Sequence, residues 1–312
     1  MANEQELLNC RPAKNATDPY RPYFFLHERE PAADGTVHAV NTIFLTNREC
    51  MFRCIMCDLW KNTLDGPTPR GAIPEQIRFA LEQLPKAKTV KLYNNGNFFD
   101  RRAIPPGDYP DICDLLSDFR HVIVENHPRL CGEQILNFRD LLDGKLEVAL
   151  GLETIHPEVL PRLNKKITLQ NFSGAVRFLN NGNINSRAFV LLNPPYLTDP
   201  AENLHWCLRS VEFAFSRGVG ACSIIPTRAG NGIMDQLQQE GLYEPPTLEA
   251  LEEVFDRALN LKLGRVFADT WGLEAFSACN VCFRKREERL NRMNLEQKLL
   301  PRISCPCTDS TN

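Results

Sequence analysis

The chain has 312 residues, which suits one large α/β domain with an appendage, and its apolar content of 43% is ordinary for a globular protein. A net charge of −3 gives no reason to expect a polyanionic partner. No run of about 18 uncharged apolar residues predicts a membrane helix, and residues 1–15 lack the apolar segment of a signal peptide. Since there are 12 cysteines but no export signal, we expect a reducing cytoplasm and metal ligation rather than disulfides.

Short apolar runs alternate with segments of helical periodicity along most of the chain. Strands are predicted at residues 23–27, 37–45, 89–93, 121–125, 146–152, 185–192, 219–225 and 264–269. Helices are predicted at residues 74–84, 109–118, 133–142, 169–180, 199–216, 248–261 and 284–299. Such alternation favours a parallel sheet covered by helices, and about six strand–helix units follow from residue 37. The fold class is therefore α/β, with an N-terminal extension (1–36), a core (37–230) and a cysteine-rich C-terminal extension (231–312).

Three cysteines lie in the loop after the second predicted strand. Cys50, Cys54 and Cys57 have the spacing C-x3-C-x2-C, which chance composition rarely produces. Three thiolates would leave one iron of a four-iron cluster open to a small molecule. A closed zinc site commonly uses four ligands, and no fourth cysteine or histidine lies near in the sequence. Ligation of an iron–sulfur cluster suits this spacing better.

The cysteine spacing resembles the cluster motif of the radical S-adenosylmethionine (radical SAM) superfamily, although Met56 stands where that family often has an aromatic residue. The resemblance implies a partial (β/α)6 barrel, a [4Fe–4S] cluster on the three cysteines, and SAM bound to the fourth iron. It further implies an enzyme that reductively cleaves SAM to methionine and a 5′-deoxyadenosyl radical, which then abstracts hydrogen from a substrate.

The same resemblance points to residues that would bind SAM. The turn Asn95, Gly96 and Asn97 stands where the family has a Gly-Gly-Glu-like turn, but it lacks the second glycine and the glutamate, and an ordinary Asn-Gly turn is the alternative. Glu153 would reach the ribose hydroxyls, or would begin a surface loop. Arg187 would clamp the SAM carboxylate, or would be a surface arginine.

Other polar residues at predicted strand ends leave their role open. Glu125 and His127 are either acid–base groups or part of a helix-entry turn. Thr227, Arg228 and Asn231 either contact the substrate or lie in a solvated loop. No catalytic residue is assigned from the sequence.

The C-terminal extension carries a second candidate metal site. Cys279 and Cys282 form a C-x2-C pair, and Cys305 and Cys307 form a C-x-C pair. Four thiolates fit either a structural zinc site or an auxiliary [4Fe–4S] cluster, and the absence of any metal is a further alternative.

Longer stretches, such as Lys-Leu-Tyr-Asn-Asn-Gly-Asn at residues 91–97, are similar to the radical SAM subunit of archaeosine synthase and, more distantly, to the Elongator catalytic subunit. The substrate is either a small molecule or RNA, although no RNA-binding module is evident in the sequence. The chemistry requires a low-potential electron donor. We expect no membrane association, and the oligomeric state is not predicted. A non-catalytic, metal-stapled binding protein on a degenerate barrel is the alternative to an enzyme.

Overall fold

The computed structural model describes residues 4–304, and one mixed sheet of eight strands organises this part of the chain. The strands are β1 (Phe24–Pro31), β2 (Val37–Phe44), β3 (Thr89–Tyr93), β4 (His121–Asn126), β5 (Lys145–Glu153), β6 (Asn185–Leu192), β7 (Ala221–Pro226) and β8 (Arg265–Ala268). They lie in chain order across the sheet. β1 pairs antiparallel with β2, and every later pair is parallel. The sheet curls into a partial barrel, as predicted.

Helices cover the outside of this barrel. Within the described residues they are α1 (Glu4–Asn9), α2 (Ala72–Leu81), α3 (Tyr109–Leu115), α4 (Glu133–Leu141), α5 (Val159–Arg162), α6 (Leu169–Asn181), α7 (Pro200–Ser216), α8 (Ile233–Gln239), α9 (Leu248–Asn260) and α10 (Asn280–Glu296). Short 3-10 turns lie at Leu59–Asn62, Pro106–Asp108, Pro128–Leu130 and Leu273–Phe276. α6 begins at a capping box, because the side chains of Thr168 and Asn171 each accept a hydrogen bond from the other residue's backbone N–H.

The two-residue period of each strand separates an apolar outer face from a polar interior. Val90, Leu92, Val122 and Val124 are completely buried in the main core, together with apolar residues of the covering helices. The residues that alternate with them, such as Lys91, belong to the barrel interior. A parallel sheet of this kind brings the loops after its parallel strands together at one edge. That edge carries the loop between β2 and α2 that holds Cys50, Cys54 and Cys57. We call this loop the cysteine loop and this edge of the sheet the cysteine edge.

The sheet crosses both predicted domain boundaries. β1 lies in the predicted N-terminal extension, yet it pairs with β2 along its whole length. β8 lies in the predicted C-terminal extension, yet it pairs with β7, and α10 packs against both β1 and β8. Arg265 of β8 also donates a hydrogen bond from Nη1 to the carbonyl oxygen of Pro31 at 3.1 Å. Much of both extensions is therefore part of the barrel.

Among the helices of residues 4–304, none combines the length and the apolar character needed to cross a membrane.

Candidate functional site

The loop between β2 and α2 carries the three cysteines, and their thiols are electrostatic neighbours. Burial is the main reason why the pKa of Cys50 rises to about 11 and the pKa values of Cys54 and Cys57 rise to about 12. Each of these thiols also raises the pKa of another of the three. Without a bound metal the thiols are protonated, so ligation of iron must release protons.

This donor set fits a four-iron cluster. Three soft thiols on one loop are the ligands that such a cluster takes, and each would bind a different iron atom. A single zinc ion would instead need its thiolates within roughly 4 Å of one another. In residues 4–304, no three His, Cys, Asp or Glu side chains are grouped so as to hold one metal ion.

Side chains from distant parts of the chain hold the cysteine loop in place. The Nδ2 atom of Asn231 donates to the carbonyl oxygens of Ile55 at 2.7 Å and Cys57 at 3.1 Å. On the other side, the Nδ2 atom of Asn164 donates to the carbonyl oxygen of Arg53 at 2.7 Å. Asn231 was a candidate for substrate contact, and the structure corrects this, because its amide is used in positioning the cysteine loop.

The turn after β3 lies directly against this loop. Asn97 donates from Nδ2 to the Sγ of Cys50 at 3.0 Å. A Cβ atom on Gly96 would lie 3.3 Å from the Cβ of Cys50, so glycine permits the close approach. Asn95 adopts a left-handed conformation with φ of 53°, and its Oδ1 accepts from the Tyr23 hydroxyl at 2.7 Å. The Nδ2 of Asn95 is buried without a hydrogen-bond partner, which is the state expected of a donor that awaits a ligand.

Glu125 supports this turn from the end of the next strand. Its Oε1 accepts from the backbone N–H of Asn94 at 2.6 Å and of Gly96 at 3.3 Å. Burial raises the pKa of Glu125 to about 7, although these N–H groups act in the opposite direction. A carboxylate thus adjoins the turn that lacks the family's glutamate, but it comes from a different strand.

A buried ion pair lies beside the cysteines at the end of β5. The Nζ of Lys165 is 2.6 Å from the Oε1 of Glu153, which has a positive φ of 66°. The pair crosses over Gly151, where any Cβ atom would overlap both side chains. Burial by itself would lower the pKa of Lys165, but Glu153 and then the Cys54 thiol raise it overall. The predicted ribose contact of Glu153 stays a prediction, and any ligand there must also meet Lys165.

Sequence reasoning missed Lys165. The signal available was the Asn-Lys-Lys run at residues 164–166, which follows the end of a strand by about ten residues. Nothing in that run shows that the first lysine turns inward, while the second is exposed.

His127 has a structural role in this arrangement. Its ring stacks on the Phe52 ring with 3.6 Å between centroids and 9° between planes. Its Nε2 lies 2.9 Å from the carbonyl oxygen of Lys165, and its Nδ1 accepts from the backbone N–H of Arg129 at 3.2 Å. Burial, and then the charge of Lys165, lowers the pKa of His127 to about 3. Because its imidazole is neutral and both ring nitrogens have partners, His127 is better explained as part of a helix-entry turn than as an acid–base group.

The structure corrects the expectation for Arg187, whose guanidinium lies in a buried network of ion pairs. Its Nε is 2.8 Å from the Oε1 of Glu147, and its Nη1 is 3.1 Å from the Oε2 of Glu30. Glu30 also contacts the Nζ of Lys91 at 2.7 Å. We call Glu30, Lys91, Glu147 and Arg187 the charged layer. Arg187 is near the start of β6, opposite Ala149 of β5, so it belongs to the barrel interior and not to the cysteine edge. With two carboxylate partners already, it is not available as a clamp for a SAM carboxylate.

Two other expected contacts are also used within the protein. Thr227 donates from Oγ1 to the carbonyl oxygen of Leu192 at 2.9 Å. Arg228 forms an ion pair with Asp269, with 2.9 Å between Nη1 and Oδ2. These side chains anchor the loop after β7.

The predicted four-cysteine site can be followed only in part. Cys279 and Cys282 are buried at the start of α10, where they pack with Ile303. Cys305 and Cys307 lie outside the described residues. Zinc, a second cluster and the absence of metal therefore all remain open there.

The fold is a partial barrel of mostly parallel strands with a three-cysteine loop at its carboxyl edge, and solved structures of radical SAM enzymes are similar to it in fold. The structure of methylornithine synthase matches with a TM-score of 0.55 at 14% identity, over 82% of this chain and 68% of that one. The archaeal Elp3 of Methanocaldococcus infernus, lacking residues 1–46, matches with a TM-score of 0.51 at 16% identity, over 62% of this chain. Both are radical SAM enzymes. The predicted resemblance to the radical SAM fold, with an Elp3-like member among its neighbours, is thereby confirmed.

The match spans only about half (51%) of that Elp3 chain. In sequence, the chain is similar to a protein of Methanocaldococcus jannaschii described as uncharacterized, with 25% identity over 96% of this chain and 88% of the relative. No model of a protein family matches the sequence. The similarity to archaeosine synthase stays a prediction.

Proposed function

We propose that this chain is a radical SAM enzyme, in which Cys50, Cys54 and Cys57 bind a [4Fe–4S] cluster whose open iron takes SAM. One observation carries the proposal: three half-buried neighbouring thiols on one loop lie against a turn with an unsatisfied buried amide, that of Asn95, at the carboxyl edge of a radical SAM-type barrel. When bound, the cluster supplies the electron that cleaves SAM to methionine and a 5′-deoxyadenosyl radical.

The residues around the loop suit the binding of the methionine end of SAM. The turn at Asn95 and Gly96 offers carbonyl oxygens to the ammonium group, and Glu125 keeps that turn in place through the backbone N–H groups. The ammonium of Lys165 carries the charge needed by the SAM carboxylate, and Glu153 keeps Lys165 at the site. Asn97 donates to the Sγ of Cys50, and such a hydrogen bond favours the thiolate form that iron requires.

The proposal is tested by anaerobic reconstitution with iron and sulfide. We expect iron and sulfide in the ratio of a four-iron cluster, broad visible absorbance, and formation of 5′-deoxyadenosine from SAM under a low-potential reductant. A variant with Cys50, Cys54 and Cys57 changed to alanine must lose all three, while Cys113→Ala, on a buried cysteine of the outer core, must keep them. Binding of zinc alone, with SAM left intact, would refute the proposal and favour a metal-stapled binding protein.

The substrate stays open between a small molecule and RNA, and we place the reaction in the reducing cytoplasm with a low-potential electron donor. Modification of a tRNA base is the alternative suggested by similarity to archaeosine synthase, and it is an analogy of sequence only. Salt-dependent binding of tRNA by the reconstituted protein would support it, and no binding at low salt would count against it.

A further inference from the structure

Three aromatic rings meet where the first and last strands of the sheet reach the cysteine edge. Phe24 begins β1, Phe44 ends β2, and Trp271 follows the end of β8 by three residues. The Trp271 ring centroid lies 5.7 Å from that of Phe24 and 5.8 Å from that of Phe44. Since β1 and β8 are the two outer strands of the sheet, the contact between Phe24 and Trp271 crosses the seam of the partial barrel. We call Phe24, Phe44 and Trp271 the aromatic platform.

Two rings of the aromatic platform are open to solvent. Phe24 is 45% exposed and Trp271 is 53% exposed, whereas Trp60, beside the cysteine loop, is only 4% exposed. The plane of the Trp271 ring is at 85° to that of Phe24 and at 69° to that of Phe44, so neither of these rings is stacked on the indole. Its exposure and this edge-to-face geometry leave indole surface available for stacking by a planar group.

The backbone of Trp271 is held in place although its ring is exposed. The Oδ1 of Asp269 accepts from the backbone N–H of Trp271 at 3.0 Å, and the Nη2 of Arg228 donates to the carbonyl oxygen of Trp271. Arg228 and Asp269 are themselves an ion pair, with 2.9 Å between Nη1 and Oδ2. A ring on a fixed backbone loses little conformational freedom when a ligand stacks on it, and such pre-organisation favours binding.

The aromatic platform is also connected to the turn that we propose binds SAM. The Tyr23 ring lies 5.6 Å from the Phe44 ring, and the Tyr23 hydroxyl donates to the Oδ1 of Asn95 at 2.7 Å. Toward the barrel interior, the Tyr93 ring lies 6.0 Å from the Phe44 ring. A continuous series of ring contacts therefore leads from the exposed Trp271 to the proposed SAM turn, and a substrate stacked on Trp271 would lie at the edge where the radical forms.

We propose that the aromatic platform binds a planar, uncharged heteroaromatic ring of the substrate, of the chemical class of a purine or pyrimidine base; this rests on the proposed function. Flat rings favour planar ligands, and every base has a π face with which to stack. An ammonium group also binds over an indole ring, but the charges beside Trp271 already cancel, because Arg228 is paired with Asp269. The ring belongs either to a free nucleoside or to a base within RNA, and the test separates these two sources.

The test is equilibrium dialysis of the reconstituted protein against adenosine, guanosine, cytidine and uridine, against ribose, which lacks the base, and against a short single-stranded RNA of mixed sequence. We expect binding of a nucleoside, of the RNA or of both, and none of ribose; binding of the RNA alone would assign the ring to a base within RNA. Trp271→Leu keeps an apolar side chain without a ring and should weaken this binding at least about fivefold. Trp271→Tyr restores a flat ring and should recover most of the affinity.

The matched control is Phe213→Leu, which removes a half-buried ring under Arg217 on α7 and should keep the wild-type affinity. Thermal unfolding of all variants is measured alongside. A merely structural role of Trp271 would make the affinity follow Tm, with no recovery in Trp271→Tyr at equal Tm, and that result would overturn the inference.

Three other results would also overturn it: binding of none of these probes, binding of tetramethylammonium in their place, or equal affinity in the wild type and Trp271→Leu. If the wild type still cleaves SAM in such a case, the proposed function stands and only the ring-binding site is refuted. A wild type without a cluster or SAM cleavage would instead refute the proposed function, whatever the dialysis shows.

Discussion

Replacing Arg187 with methionine separates its observed place in the charged layer from the role in SAM binding that the sequence predicted. The change removes one cation from between Glu30 and Glu147, and each carboxylate keeps at least one cationic partner, since Arg265 also lies 3.9 Å from Glu30. Glu30 keeps Lys91 at 2.7 Å, and Glu147 keeps Arg265 at 3.2 Å. Removing one partner of a buried ion pair costs roughly 3–5 kcal/mol. Since neither carboxylate is left alone, we expect a loss near the lower limit, about 3 kcal/mol.

The loss is measured by thermal and urea unfolding of the cluster-free protein. For a chain of this size, about 3 kcal/mol corresponds to a fall in Tm of roughly 6 °C. Arg187→Lys keeps the charge but not the bidentate geometry, so its Tm should lie between those of the wild type and Arg187→Met. The control is Arg217→Met, an exposed arginine over the Phe213 ring, which should change stability by less than about 0.5 kcal/mol.

The dependence of stability on acidic pH provides a second test of the Arg187→Met substitution. Burial by itself would raise the pKa of Glu30 and Glu147, but Arg187 acting together with Lys91 at Glu30 and with Arg265 at Glu147 lowers both pKa values. Their contribution is therefore full above the ordinary carboxyl pKa of about 4.5 and is lost as the pH falls below it. Arg187→Met should flatten this acid slope. A variant with wild-type Tm and acid slope, but without affinity for SAM in the reconstituted protein, would refute our placement of Arg187.

Three further predictions concern the cysteine edge. Gly151→Ala should displace the Lys165–Glu153 pair and weaken SAM binding at least about tenfold by calorimetry, with the fold retained by circular dichroism. Asn231→Ala leaves the carbonyl oxygen of Ile55 without its side-chain donor and the carbonyl oxygen of Cys57 with only the Trp60 indole N–H, so we expect about 1–3 kcal/mol less stability in urea and a cluster that chelators remove faster. Glu125→Gln should abolish a decline in stability that the wild type shows as the pH rises from about 4.5 to about 7, because a raised carboxyl pKa favours folding only while the group is protonated. Identical urea midpoints across that pH range for wild type and Glu125→Gln would contradict the last expectation.

The elements that the sequence predicted well are those whose signal is local. Thr89–Tyr93 and Asn185–Leu192 are apolar runs of strand length, and the structure has both as predicted. α1, α5 and α8 were missed; each has at most seven residues, and such short helices owe their stability to packing rather than to periodicity. Leu7 of α1, for example, is buried against Ile55 of the cysteine loop, a contact that no sequence window contains.

The candidate site also has features that the local sequence predicts and features that only the folded structure reveals. The spacing of Cys50, Cys54 and Cys57 is a property of one loop, so the sequence displays it directly. The place of Arg187 depends on strand register, which decides that its side chain meets Glu30, 157 residues away in the chain. The inward turn of Lys165 depends on backbone geometry at Glu153, where φ is positive and the β5–β6 register shifts. Neither follows from residue type and spacing.

The charged layer and the cysteine edge are complementary parts of one barrel. Glu30, Lys91, Glu147 and Arg187 contribute two cations and two carboxylates, and their other partners Glu28 and Arg265 add one of each, so the charges are balanced. At the next inward position of two of its strands, Tyr93 and Phe189 pack edge to face with 6.2 Å between ring centroids. Paired charges topped by aromatic rings therefore occupy that part of the barrel. Under the proposed function, these rings would separate a radical formed at the cysteine edge from the charged layer, and a site closed to water limits the side reactions of such a species.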